Sequence, residues 1–289
     1  MQIIETHIAK KQEKPIRFQE YGVGIFNTIP TKSSIKKAIK KKLIFIDEVL
    51  ATTSKYISGG EKIELFETEN SSTFKRLKLN LEVLFEDDYL AIIYKPAGVL
   101  VSGNKFVTIA NALSQNLTKS NQPDAVKPQP IHRLDYPTSG VLLIGKTSTA
   151  IQKLSQLFKN KEIQKTYFAI ALGKMCSGGI INFDMNNKEA STEFEVVQSV
   201  ISERFEFLNL VKLSPRTGRK HQLRKHLSVI GHQILGDKNY GDSELILNGK
   251  GLYLHAFSLR FLHPFTKKDF FISKDLPKKF RKIFHDFKH

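Results

Sequence analysis

The chain has 289 residues, 40% of them hydrophobic, which excludes wholesale disorder and allows one large domain or two of unequal size. Lys and Arg number 45 against 28 Asp and Glu, a formal charge of +17, and a charge of that size points to a polyanionic partner such as nucleic acid. The single cysteine, Cys176, excludes an intramolecular disulfide and a multi-cysteine zinc site.

In chain order, the opening stretch MQIIETHIAKKQEKP lacks the apolar core of a signal peptide, and residues 1–20 read as a polar arm. No apolar run reaches the roughly 18 residues of a membrane span, so a cytoplasmic protein without membrane contact is expected. Residues 21–67 read as a compact α/β unit. Within it TKSSIKKAIKKKL (31–43) spaces Ile35, Ala38, Ile39 and Leu43 as one face of a helix, with Ser33 or Ser34 as the N-cap. The opposite face carries Lys36, Lys37, Lys40 and Lys41 with no acid among them, a pattern that suits an RNA or DNA backbone better than a merely solvated face. Residues 43–67 alternate around Gly59-Gly60 and read as short strands. Residues 68–80 fit a linker.

From residue 81 to 289 the pattern is that of a second, larger domain. Residues 81–103 read as strands broken at Lys95-Pro96-Ala97-Gly98, and 147–160 as a helix capped by Thr147 or Ser148. Residues 165–173 form a short apolar strand, and 190–215 read as paired strands. A helix is predicted over 217–231, with Leu223, Leu227 and Ile230 buried, Gly231 as C-cap, and Lys220 and Arg224 one turn apart. A terminal helix is predicted over 277–289. Strands outnumber helices and are not separated by crossover helices. The expected fold is α+β, with a mixed, mainly antiparallel sheet and a small N-terminal α/β domain.

One segment concentrates chemistry. IHRLDYPTSG (131–140) sets His132, Arg133 and Asp135 against the apolar run Val141–Ile144. A carboxylate, with an ordinary pKa of about 3.9, serves as nucleophile or base only if ionised and well placed. Asp135 therefore reads either as a catalyst or as the acidic half of an ion pair, with Arg133 or with the basic stretch 212–226, which contains no acid. Tyr167 opens an apolar strand, where a tyrosine is more often core than catalyst. The histidines show no metal-ligand spacing, and no H-E-x-x-H, P-loop, G-x-G-x-x-G or G-x-S-x-G occurs. The residues alone thus describe a nucleic-acid-binding α+β protein with one conspicuous Asp, and no reaction.

HRLDYPTSG (132–140) closely resembles the signature of the RluA-type pseudouridine synthases. EDDYLAIIYKPAGVLV (86–101), KTYFAIALG (165–173), TGRKHQLRKHLSVIGHQILGDKNYG (217–241) and LHAFSLRFLHP (254–264) resemble that family's other motifs, in the right order. Residues 21–67 are similar, more loosely, to the small RNA-binding domain named after ribosomal protein S-four. The resemblance implies isomerisation of uridine to pseudouridine within structured RNA, ribosomal RNA ahead of transfer RNA, by a monomer needing no metal and no cofactor. It implies that Asp135 is the catalytic carboxylate, acting on either the ribose or the base edge, that Tyr167 stacks on the extracted base and takes part in the final proton removal, and that Arg224 pairs with Asp135. The resemblance further implies that Arg133 fills the space left by the flipped nucleotide or holds the phosphates beside it. His132, Arg219 and Lys220 are expected to join Arg133 and the lysine helix as RNA contacts. Ser102-Gly103-Asn104 departs from the family's His-Pro and bears on substrate fit. Two other readings use the same features: a non-catalytic RNA-binding or ribosome-assembly protein, and a glycosylase that releases the base.

Overall fold

The structure is a computed structural model that describes residues 2–67, 77–247, 249–285 and 287. The chain forms two compact units, the first ending at residue 76 and the second beginning at Leu77. Among the described residues, no helix is long and apolar enough to cross a membrane. Most of the linker expected over 68–80 lies outside the described residues.

The N-terminal unit contains β1 (Gln2–Ile8), β2 (Ile16–Arg17), α1 (Phe18–Tyr21), α2 (Lys32–Lys40), β3 (Ile44–Ile46), β4 (Val49–Leu50), β5 (Tyr56–Ile57) and β6 (Lys62–Glu67). Residues 2–20 are no free arm. β1 pairs antiparallel with β6 at the edge of a sheet ordered β1-β6-β3-β4, and Phe18 is fully buried in the unit's core. The polar look of the segment is that of an edge strand, which needs few apolar side chains because its backbone hydrogen bonds hold it in place. The helix expected over 31–43 is α2. Its cap is Thr31, whose hydroxyl accepts the Ser34 N–H at 3.2 Å while the Ser34 hydroxyl accepts the Thr31 N–H at 3.0 Å. Ile35 and Ala38 turn inward, and Lys36, Lys37 and Lys40 line a shallow exposed concavity with Lys32.

The second unit contains β7 (Glu82–Glu86), β8 (Leu90–Lys95), α3 (Ile109–Asn116), β9 (Ala125–Pro130), β10 (Ser139–Thr147), α4 (Ser148–Lys159), β11 (Gln164–Leu172), β12 (Gly178–Asn182), β13 (Ser191–Ser202), β14 (Glu206–Pro215), α5 (Gln222–Val229), β15 (Leu254–Leu262), β16 (Asp269–Ser273) and α6 (Lys278–Arg281). One sheet runs β12-β13-β14-β11-β15-β10-β8-β7, with β16 beside β15 and β9 beside β10. Every pairing is antiparallel except β10 with β15, so the α+β reading with a mixed, mainly antiparallel sheet holds. The unit begins before residue 81: the Asn116 side chain donates to the Leu79 carbonyl and accepts from the Leu81 N–H, and Leu77 and Leu79 pack on the core.

Two cores flank the parallel step. One joins β8 and β10 to α3 and α4, and the other joins β11 and β14 to α5 and α6. β10 is buried along its whole length, which explains its unbroken apolar run. At its start Gly140 has φ +131°, and a Cβ there would lie 2.1 Å from the Ala256 carbonyl oxygen, so only glycine lets β10 and β15 meet.

Two helix expectations shift. α5 begins at Gln222 rather than at Thr217, because the Gln222 side-chain oxygen accepts from the Thr217 hydroxyl at 2.7 Å and the Arg219 N–H at 2.9 Å, folding 217–221 into a turn. Lys220 precedes the helix and does not share a helical face with Arg224. The terminal helix is only the four residues of α6, with Phe280 and Phe284 buried, and part of 277–289 lies outside the described residues.

Candidate active site

The loop 131–138 joins β9 to β10 and carries Asp135. It is held from beneath by a buried cation. Lys95, fully buried at the end of β8, donates through Nζ to the carbonyls of Thr138 (2.6 Å), Pro96 (3.0 Å) and Tyr136 (3.3 Å). Burial pushes its pKa down to about 8, partly offset by the charge of Asp135. The Gly98 N–H donates to the Tyr136 carbonyl at 2.8 Å and the Thr138 N–H to the Asp135 carbonyl at 3.1 Å. Beyond the loop, the Ser139 hydroxyl meets His255 Nδ1 at 3.0 Å, and His255 Nε2 meets the Lys274 carbonyl at 3.0 Å. The Lys-Pro-x-Gly turn and the Thr-Ser-Gly turn are therefore two clamps on one loop.

Lys95→Met is expected to destabilise the second unit by about 2–3 kcal/mol at neutral pH, since three carbonyls lose their hydrogen-bond donor. The pH dependence has a definite sign. Folded Lys95 loses its proton near pH 8, whereas the unfolded chain keeps it until about 10.4, so the unfolded state binds more protons between these values. The stability gap between wild type and Lys95→Met should therefore widen as pH rises across that window, read by urea denaturation at several pH values.

Asp135 lies in a cleft lined by Arg133, Tyr167, Lys165, His221 and Arg224. Its side chain is 16% exposed, and His221 Nε2 stands 3.6 Å from Oδ1. Tyr167 reaches the cleft from β11. Thr166 pairs with Ser258 but Tyr167 with Ala256, so a bulge in β15 shifts the register where the tyrosine must point at the loop. Burial, reinforced by the Asp135 charge, raises the Tyr167 pKa far above that of a free phenol, so the hydroxyl stays protonated. Lys165, two residues earlier on the same strand, has its pKa lowered by burial and donates to the Thr217 carbonyl at 3.3 Å.

Two expected roles meet a different geometry. Arg224 is not paired with Asp135 in this structure. It makes a bidentate pair with Asp237, both contacts at 2.7 Å, with side-chain exposures of 5% and 1%. Asp237 also accepts the N–H groups of Asn239 (2.9 Å) and Tyr240 (3.2 Å), and these bonds together with Arg224 outweigh burial and hold its carboxyl below the usual range. Arg224 still lines the cleft and feels the Asp135 charge. His132 is only partly exposed, and its ring is engaged within the protein rather than free to contact RNA. Its Nε2 accepts the Leu143 N–H at 3.1 Å, its ring lies 4.8 Å from that of Phe158, and burial, with the Lys165 charge nearby, pushes its pKa down to about 3. It is a neutral brace between loop and strand. Among the described residues no ion pair joins Arg133 to Asp135, and Arg133 is exposed at the mouth of the cleft, as are Arg219 and Lys220.

Asp237, His221, Lys95 and Lys165 escaped the sequence reading. Asp237 sat in GDKNYG, which looks like a turn, and His221 was hidden among six basic neighbours. Lys165 alone left a visible trace, as a cation at the head of an apolar strand. Among the described residues no group of three or more His, Cys, Asp or Glu is placed to hold a metal.

A mostly buried carboxylate, a tyrosine and a paired arginine share a cleft rimmed by exposed basic residues, an arrangement that suits an enzyme working on an anionic polymer. Residues 89–229 match the RNA pseudouridylate synthase family. The chain is 32% identical over 290 residues to ribosomal large subunit pseudouridine synthase D of Buchnera aphidicola subsp. Schizaphis graminum, covering 88% of each chain. It is 32% identical to tRNA pseudouridine synthase C of Haemophilus influenzae, over 72% of this chain and 98% of that one. Among solved structures, human RNA pseudouridylate synthase domain containing 4 aligns with a TM-score of 0.57 and 26% identity, over 71% of this chain and 92% of that one. The chain belongs to the RNA pseudouridylate synthase family, and is an isomerase that acts on RNA.

Proposed function

We propose that the protein converts uridine to pseudouridine in large-subunit ribosomal RNA, as a cytoplasmic monomer, with Asp135 as the catalytic carboxylate. The observation that supports it is the placement of Asp135 and Tyr167 in one cleft whose rim is basic and exposed. A uridine stacked in RNA hides its glycosidic bond, so it must be extruded, at a cost of a few kcal/mol. Phosphate contacts from Arg133, Arg219 and Lys220 and stacking on Tyr167, about 1–3 kcal/mol per base, offset that cost. Asp135 assists breakage of the bond between ribose C1′ and uracil N1. The uracil rotates, C1′ bonds to C5, C5 gives up its proton and N1 gains one, so atoms balance and no cofactor is consumed. Tyr167 is protonated at rest, which suits it to packing against the base better than to taking the C5 proton.

Ribosomal RNA is favoured because the large-subunit relative aligns with 88% of this chain, whereas the tRNA relative aligns with 72% of it. Incubation with large-subunit ribosomal RNA transcript labelled with tritium at uracil C5 tests the reading: tritium should be released with RNA mass otherwise unchanged. Base loss by mass spectrometry would indicate a glycosylase instead, and binding without release would indicate a binding protein. The lysine concavity makes its own prediction. Replacing Lys36, Lys37 and Lys40 together with Ala should weaken RNA binding and reduce the slope of log affinity against log salt by roughly 2, measured between about 50 and 200 mM salt.

A further inference from the structure

His221 occupies a position that folding alone does not favour. It is a non-glycine residue with φ 58° and ψ 24°, immediately before the first turn of α5, and its side chain makes no capping bond to that helix. Left-handed backbone at a bulky side chain costs free energy and persists where the surroundings impose it, often at functional sites. This backbone turns the imidazole back into the cleft between two partners. Nδ1 lies 2.7 Å from the Tyr240 hydroxyl, and Nε2 lies 3.6 Å from Oδ1 of Asp135. The charged and titratable groups around the ring are Asp135, Arg224, Lys220, Asp237 and Tyr240. Tyr240 is itself fixed: its ring covers the Arg224 guanidinium at 4.9 Å, and its N–H donates to Asp237.

We propose that His221 is a positioning residue for Asp135: the Tyr240 hydroxyl donates to Nδ1, which leaves the proton on Nε2, and that N–H steers the Asp135 carboxylate toward the extracted uridine. The inference rests on the assignment of Asp135 as the catalytic carboxylate. A 3.6 Å separation is longer than a formed hydrogen bond, and such contacts commonly tighten when substrate fills the site. A neutral ring suits the task, because a donor that carried full charge would hold the carboxylate as an ion pair instead of releasing it to the ribose or base. Burial and the cations Arg224 and Lys220 favour the neutral ring, against the opposing pull of Asp135 and Asp237. The chain Asp237–Arg224–Tyr240–His221–Asp135 then links two carboxylates of opposite purpose, one locked and one kept free.

Two polar substitutions separate positioning from folding. Gln can place its side-chain amide N–H near the site of Nε2, so His221→Gln retains the donor to Asp135. Asn is too short for that reach but is better tolerated in left-handed backbone, so His221→Asn should be the more stable of the two. The expected order of kcat for tritium release is wild type, then Gln, then Asn, with Asn lower than wild type by about 10- to 100-fold and KM changed less than about threefold. The order of thermal stability should place Asn above Gln. An activity order that follows stability, with Asn the better enzyme, would overturn the proposal, as would a loss confined to KM or an Asn variant within about twofold of wild-type kcat. The wild-type rate and that of Asp135→Asn on the same RNA separately test the enzyme assignment and the role of Asp135, so failure of that reading and failure of the His221 role are distinguishable.

Discussion

Replacing Asp135 with Asn is expected to lower tritium release from uracil C5 by about a thousandfold or more, with thermal stability and RNA affinity nearly unchanged. The magnitude reflects the loss of the group that acts on the glycosidic bond; positioned proton transfer alone contributes about 10²–10⁴-fold. Stability should persist because the loop does not depend on that side chain. Lys95 holds the carbonyls of Pro96, Tyr136 and Thr138, and the backbone carbonyl of Asp135 accepts from Thr138. The side chain of Asp135 contributes chiefly its charge, felt by Lys95, Tyr167, His221 and Arg224. A variant that binds RNA with wild-type affinity, melts with the wild type and releases no tritium would separate catalysis from binding. Undiminished release would remove Asp135 from the chemistry.

Asp237→Ala should have the largest effect on stability. Arg224 and Asp237 are both buried and joined by two 2.7 Å contacts, and Asp237 also holds the Asn239 and Tyr240 amides. Removing one partner of a buried pair leaves the other charge without compensation, at a cost of about 3–5 kcal/mol. For a unit of this size that corresponds to a fall in Tm of roughly 10 °C. Catalysis should fall as well, because the freed guanidinium can turn toward Asp135 and trap it as an ion pair. A double variant, Arg224→Met with Asp237→Leu, should recover much of the stability and little of the activity. Recovery of both would mean that Arg224 has no part in the site.

The division between what could and could not be read from sequence follows from range. The α+β character, the cap of α4 at Thr147 and the lysine face of α2 depend on near neighbours, and the motif from His132 to Gly140 marked the loop that the structure bends around Asp135. The partner of Arg224 depends on a choice between two carboxylates brought together by tertiary structure. Asp237 wins because it is 13 residues away on the same local unit and its remaining lone pairs meet two backbone amides, while Asp135 has a separate loop to serve. His132 looked chemical because of its neighbours in sequence, yet its acceptor role toward Leu143 is set by strand pairing. β1 looked like an arm because an edge strand's hydrogen bonds are invisible in side-chain pattern. The late start of α5 turned on one side chain, Gln222, whose bonds to Thr217 and Arg219 no periodicity encodes. That same late start is what leaves His221 in its left-handed position beside Asp135.

Pseudouridine mapping of all cellular RNA, before and after deletion of the gene, tests the central claim most directly. One or more pseudouridines in large-subunit ribosomal RNA should disappear, return with the wild-type gene and stay absent with the Asp135→Asn gene. An unchanged map, or losses restricted to transfer RNA, would contradict the assignment of ribosomal RNA as substrate, and restoration by Asp135→Asn would contradict the mechanism.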